Sequence, residues 1–267
     1  MLNLFILTSQ TKGTAGHHLP VLLNTKKYKI QFVIYNEMQS VSKKKRLKQI
    51  IKKVKKIGIF GALNGIRMRK WFSSDVEDLL NIETVESICK QHNIPFYKIS
   101  GFSDKQIPFI FSEFISDLGI SLGNGYIPKS FFTLPKFGMI NIHHEILPHY
   151  QNAQSIIWQI YNGSSNTGYT IHEIDNSIDT GNILYQKPVS IAFKNSLATT
   201  ISATSALLLK ESAAGLKELL ENFSFYTARS KKQEKGTSYT TPSVKQYYRI
   251  YKNFCKLKNS KYETTIK

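Results

Sequence analysis

Short apolar runs alternate with stretches of helical period through the first two-thirds of the chain. Residues 2–8 (LNLFILT) are apolar enough for a buried strand, and a glycine-containing turn follows, from Gly13 to Gly16. A short helix is predicted from His17 to Leu23. Residues 29–35 (KIQFVIY) alternate and are β-branched, which predicts a second strand. Further strands are predicted at 94–99, 118–122, 138–143 and 168–174. Strand and helix in this alternation imply crossover connections and a largely parallel sheet. The expected fold class is α/β: a Rossmann-like, mostly parallel sheet flanked by helices, with a short C-terminal appendage.

Residues 43–57 break this rhythm. Leu47, Ile50, Ile51, Val54 and Ile57 fall on one helical stripe, and lysines with Arg46 crowd the rest of the surface. Three readings of this basic amphipathic helix stand side by side: a solvated face packed on the domain, contact with an anionic membrane surface, or contact with phosphate or RNA. From Gly58 to Trp71 the chain stays apolar and basic, and its pattern specifies no element. A long helix is predicted from Leu197 to Phe223 with Ser196 as its N-cap. Beyond it the chain turns polar, aromatic and basic. The expected organisation is one domain over 1–223 carrying a basic helical insert at 41–72, then a tail at 224–267 that is a short appendage or partly disordered.

Composition narrows the field of functions. With 41% hydrophobic and 12% aromatic residues the chain has material for a packed core, so disorder throughout is excluded. Two cysteines, Cys89 and Cys255, exclude a disulfide scaffold and a cysteine-built zinc site. No apolar run is long enough to span a bilayer, and MLNLFILTSQ lacks the basic start and cleavage site of a secretory signal, so a cytoplasmic location is expected. The formal net charge of +18 attracts phosphates, whether of nucleic acid, anionic lipid or a nucleotide-linked metabolite. The same excess also arises from a lysine-rich composition spread over the surface.

The chemistry concentrates between 138 and 184. The glycines of KGTAGHHLP lack the G-x-G-x-x-G spacing, which disfavours nicotinamide chemistry, and no P-loop is present. Asn141 and His143 stand two apart at a predicted strand end, so their side chains share a face. A carboxamide beside an imidazole offers two hydrogen bonds to a developing oxyanion, or one bond and a proton acceptor. Asp179, in the segment IDTG, supplies a carboxylate able to orient an imidazole and raise its basicity. These three groups, with no serine or cysteine nucleophile, suit direct attack by a substrate amine in acyl transfer. His144 and His149 read equally well as surface residues, and His172 as structural. A metal held by His143, His172 and Asp179 is conceivable, but no helical histidine pair supports it, and none is expected.

At these residues the chain resembles the formyltransferases that use 10-formyltetrahydrofolate. NIHHEILPHY is similar to that family's Asn-x-His strand end and Leu-Pro loop, and TGYTIHEIDNSIDTGNIL to its closing Asp-Thr-Gly segment. The resemblance spans roughly residues 1–223 and is strongest from Leu118 to Leu184. It implies that Asn141, His143 and Asp179 are catalytic. It also implies that Ile146, Leu147 and Pro148 line the folate pocket, and that Asp175, Asn176, Ser177 and Ile178 wrap the pterin. The chain departs from the family at His144, where proline or glycine is usual, and at Gln151 and Asn152, where Arg-Gly is usual.

The resemblance therefore implies transfer of a formyl group to a primary amine. The expected acceptor is a nucleotide-linked amino sugar, with initiator tRNA as the close rival. An anionic membrane surface at 43–57 and a homodimer through apolar residues of the insert are further partner expectations. A non-catalytic RNA-binding protein on the same fold is the alternative of another class, with Tyr247, Tyr248, Arg249 and Tyr251 as weak candidates for base stacking.

Overall fold

The computed structural model describes residues 1–37, 43–152 and 156–265. Positions 41–42 of the expected insert and 266–267 of the tail lie outside the described residues, as do the side chains of Lys43, Lys44, Lys45, Arg46 and Lys53.

One seven-stranded sheet carries the chain. Its strands are β1 (Leu2–Thr8), β2 (Tyr28–Asn36), β3 (Phe96–Ile99), β4 (Leu118–Ser121), β5 (Met139–His143), β6 (Asn166–Glu173) and β7 (Ile183–Ser190). They lie in the order β3-β2-β1-β4-β5-β6-β7. Every pairing from β3 to β5 is parallel, while β5–β6 and β6–β7 are antiparallel. Both faces are covered, which explains why β1 reads as a continuous apolar run. Strand alternation sends Leu4 and Ile6 into one core with α1 (Gly13–Leu23) and α8 (Leu197–Glu221), and Phe5 and Leu7 into the other. There the ring of Phe5 stacks on Phe32 at 5.2 Å.

The predicted elements occur with shifted ends, and four differences have physical causes. Helix α1 starts at Gly13, not His17, because the Gln10 side chain accepts from the Thr14 N–H at 3.0 Å and satisfies an open donor of the first turn. Strand β7 has no sequence prediction: it carries Pro188 and a run of exposed residues, as suits a sheet edge. The stretch 58–71 continues the basic helix, so α2 runs Lys43–Phe72 with a kink at Gly58 (φ 75°, ψ 165°). Within the described residues the tail is helical in part, with α9 (Phe223–Thr227) and α10 (Val244–Thr265). Between them Lys231 pairs with Ile183, and Thr237 and Tyr239 donate to the carbonyls of Pro148 and Gln151. The expected N-cap of α8 is present as a capping box between Ser196 and Thr199, a feature worth about 1 kcal/mol.

The switch in strand order between β1 and β4 opens a crevice at their carboxyl ends, where ligands bind in open α/β sheets. The loops after these strands are tied together: Ser9 Oγ donates to the Gly123 carbonyl at 2.8 Å, and Asn124 Nδ2 donates to the Leu7 carbonyl at 2.7 Å.

Candidate functional site

Strand β5 ends in this crevice, and its pleat presents Asn141 and His143 to a cleft of about 270 Å³. The opposite wall is the turn after β6, residues 174–179, with Ile127 and Tyr126 of the loop after β4 alongside. Asp179 adopts a left-handed backbone, φ 58°, which aspartate tolerates better than most residues. Its Oδ2 lies 3.7 Å from His143 Nδ1 and accepts from the Asn152 N–H at 3.1 Å. His143 Nε2 donates to the Tyr150 carbonyl at 2.9 Å, so the ring nitrogen facing Asp179 is Nδ1. Both facing atoms are then acceptors, so they join in a hydrogen bond only when a proton is taken up between them, and at 3.7 Å they stand apart.

A fourth group enters the cluster. His172 on β6 is the cross-strand partner of Asn141. Its Nδ1 donates to the Glu173 carbonyl at 2.8 Å, leaving Nε2 to accept from Asn141 Nδ2 at 3.3 Å. Burial lowers the pKa of this ring despite Asp179 Oδ1 at 3.7 Å, so it stands neutral. One N–H of the Asn141 amide is thus committed and the other remains to be offered to a ligand. Sequence reasoning placed His172 as structural. The signal that would have found it is positional: a histidine on the strand antiparallel to the Asn-x-His strand, directly opposite the asparagine.

The Asp-Thr-Gly turn is held from three sides. Thr180 Oγ1 donates to Asp175 Oδ1 at 2.7 Å, Gln151 Nε2 donates to the Asp179 carbonyl at 3.2 Å, and Gln233 of the tail donates to the Gly181 carbonyl at 2.6 Å. A Cβ on Gly181 would lie 1.9 Å from the Glu173 carbonyl oxygen, so only glycine permits this approach.

The remaining sequence-predicted residues divide. Asp175, Ser177 and Ile178 line the cleft; Asn176 is not among its lining residues. Ile146, Leu147 and Pro148 do not line it either. Leu147 is 2% exposed and its N–H donates to Thr170 Oγ1, Ile146 packs over Gly168, and the Pro148 carbonyl accepts from the tail. Leu147, buried, and Ile146, against β6, brace the loop from behind.

His144, one residue beyond His143, opens on a second cleft of about 220 Å³ between the loop after β1, the end of α2 and α8. Its Nε2 lies 3.1 Å from Ser212 Oγ, which lies 3.0 Å from His18 Nε2, and His18 Nδ1 donates to the Thr14 carbonyl at 2.8 Å. Burial pushes His144 down to about 4 and holds His18 well below its ordinary value. Beside them Glu145 is fully buried against Gln159, and desolvation raises its carboxyl well above the usual range. Among the described residues no group of three or more His, Cys, Asp or Glu could hold a metal ion.

Comparison with known proteins fits this geometry. Residues 118–209, which contain Asn141, His143, His172 and Asp179, match the family model described as formyl transferase. Over these residues the chain is similar to formyl transferases. The chain is similar to the methionyl-tRNA formyltransferase of Thermosynechococcus vestitus, 32% identical over 146 residues, 52% of this chain and 44% of the relative. It is also similar to the GDP-perosamine N-formyltransferase of Brucella melitensis, 35% identical over 108 residues, 40% of this chain and 41% of the relative. The chain thus spans about half the length of the curated relatives it matches. In fold it resembles the N-formyltransferase of Helicobacter canadensis solved with folinic acid and dTDP-3-aminofucose. That likeness has TM-score 0.52 at 17% identity and covers 97% of this chain and 81% of the other. The Rossmann-like sheet is the architecture expected from the strand pattern.

Proposed function

We propose that the protein transfers a formyl group from 10-formyltetrahydrofolate to a primary amine, and that the acceptor is a nucleotide-linked amino sugar. The observation that carries this reading is the meeting of Asn141, His143 and Asp179, distant in sequence, in one cleft at the carboxyl edge of the sheet. The folate, when bound, supplies the formyl carbon that the amine attacks. The cleft suits a flat, partly apolar ring: Ile142, Ile174 and Ile178 provide apolar walls beside polar backbone and the Asp175 carboxylate.

The residues then divide the work. The uncommitted N–H of Asn141 hydrogen-bonds the formyl oxygen as charge develops on it, a contribution of about 2.7–4 kcal/mol for one such donor. His143 Nδ1 takes the proton that the attacking amine must lose, and the Asp179 carboxylate facing it stabilises the ring so charged. Holding the amine at attacking distance contributes about 7–11 kcal/mol.

The net charge of +18 supports a phosphate-bearing acceptor. Relatives of both acceptor classes keep initiator tRNA as the second reading. The test is a screen of nucleotide-linked amino sugars and charged initiator tRNA with 10-formyltetrahydrofolate, following release of tetrahydrofolate. Turnover on a sugar and none on tRNA is expected. Turnover on tRNA alone overturns the acceptor, and turnover on no amine, with RNA retained on a filter, favours a non-catalytic RNA binder.

A further inference from the structure

Helix α2 carries a cluster of exposed large apolar side chains. Before its kink, Leu47, Ile50 and Ile51 are 46–58% exposed. After it, Ile59, Phe60, Leu63 and Ile66 are 56–74% exposed. Residues 59, 63 and 66 recur at helical spacing, so they form one stripe, and Ile57, Met68 and Trp71 on the other side are buried against the domain. Lys48, Lys52, Lys55 and Lys56 are exposed beside the apolar residues, and no acidic residue occurs anywhere in the helix.

We propose that α2 lies in the interfacial plane of an anionic membrane, with its apolar stripe at the acyl boundary and its lysines on the lipid phosphates. An interfacial surface satisfies both halves of the pattern at once. Nucleic acid would pair the lysines and leave isoleucine, leucine and phenylalanine in water. A second copy of this chain would cover the apolar stripe but bring two lysine-rich, acid-free helices together. Among the described residues no helix is long and apolar enough to cross a bilayer, so α2 lies on the surface. The helix ends at Phe72, on the wall of the second cleft that His144 also lines, so docking sets that cleft close to the membrane.

Co-sedimentation of the full chain with vesicles tests this without measuring formyl transfer, so its failure is distinct from failure of the catalytic reading. Binding is expected to vesicles of equal phosphatidylcholine and phosphatidylglycerol, and not to phosphatidylcholine alone. The double variant F60S/L63S should lower partitioning by about 10-fold or more with an unchanged unfolding temperature, since both side chains are exposed. An independent pair, I59S/I66S, should do the same, and K52Q/K55Q should weaken the preference for anionic lipid. No binding to anionic vesicles overturns the proposal. So does binding that both serine pairs leave intact, which is the behaviour of an RNA or other polyanion site. So does a dimer in sedimentation equilibrium that F60S/L63S dissolves, which assigns the stripe to a second copy.

Discussion

Asn141 and His172 are cross-strand neighbours on β5 and β6, and the amide of the first donates to the ring of the second at 3.3 Å. The pair fixes which way the Asn141 carboxamide faces, because only its nitrogen can serve an acceptor ring nitrogen. In the proposed reaction, where Asn141 donates to the formyl oxygen, His172 is thus a positioning residue. His172→Leu is expected to lower kcat by about 10²-fold, the cost of a donor misplaced by roughly an ångström, with KM little changed. His172→Gln, which keeps a side-chain acceptor, should recover part of the loss. Steady-state kinetics on both variants with one acceptor checks this; equal kcat in wild type and His172→Leu would remove His172 from the site.

His143 and Asp179 face each other across 3.7 Å with the Asn152 N–H already on the carboxylate. His143→Ala and Asp179→Ala should each reduce turnover by about 10²-fold or more on acid–base grounds. Asp179→Asn tests charge apart from backbone, since asparagine also tolerates the left-handed conformation at φ 58°. It should be nearly as inactive as the alanine variant while unfolding at the wild-type temperature. Near-normal turnover in all three would refute the assignment.

The turn bearing Asp179 sits so close to β6 that Gly181→Ala forces backbone apart, not a flexible side chain. Strain of this kind costs typically about 1–3 kcal/mol, and the displacement should cut turnover as well. Gln233→Ala, which removes only the tail's bond to the Gly181 carbonyl, should show a smaller loss of turnover in the same direction. Urea unfolding and kcat measured on both variants give the order; an active, fully stable Gly181→Ala would show that the turn is not tightly constrained.

The second cleft makes stability depend on pH. Burial lowers the pKa of His17, His18 and His144, the last to about 4, so the folded protein keeps these rings neutral where the unfolded chain takes up protons near 6.5. Their stabilisation is complete above 6.5 and is lost as pH falls through the window toward 4, on the order of 3 kcal/mol for His144 alone. Glu145 acts oppositely: its raised carboxyl contributes stability below its ordinary value of 4.5 that is lost as pH rises. Urea unfolding between these limits should show stability rising with pH up to 6.5, a flatter profile for His144→Gln, and a gain for Glu145→Gln that grows with pH. A level profile in Glu145→Gln, where that opposing carboxyl is gone, would contradict the buried neutral rings.

Periodicity along the chain was enough to find the inner strands, the long α8 helix and the basic stripe of 43–57, because each of these signals is local: burial on one face writes an alternation or a helical repeat into consecutive residues. The spacing of Asn141 and His143 was legible for the same reason. The edge strand β7 left little trace, since half its residues face water and Pro188 interrupts it. Fold alone placed His172 opposite Asn141, turned Ile146, Leu147 and Pro148 away from the cleft, and drew the tail across the Asp-Thr-Gly turn. Those relationships join residues by strand register and by backbone bonds between distant segments, and neither leaves a mark on the order of neighbouring amino acids. The exposure of the α2 stripe belongs to the same class: a helix pattern records which side chains share a face, while only the packed chain determines whether that face is covered.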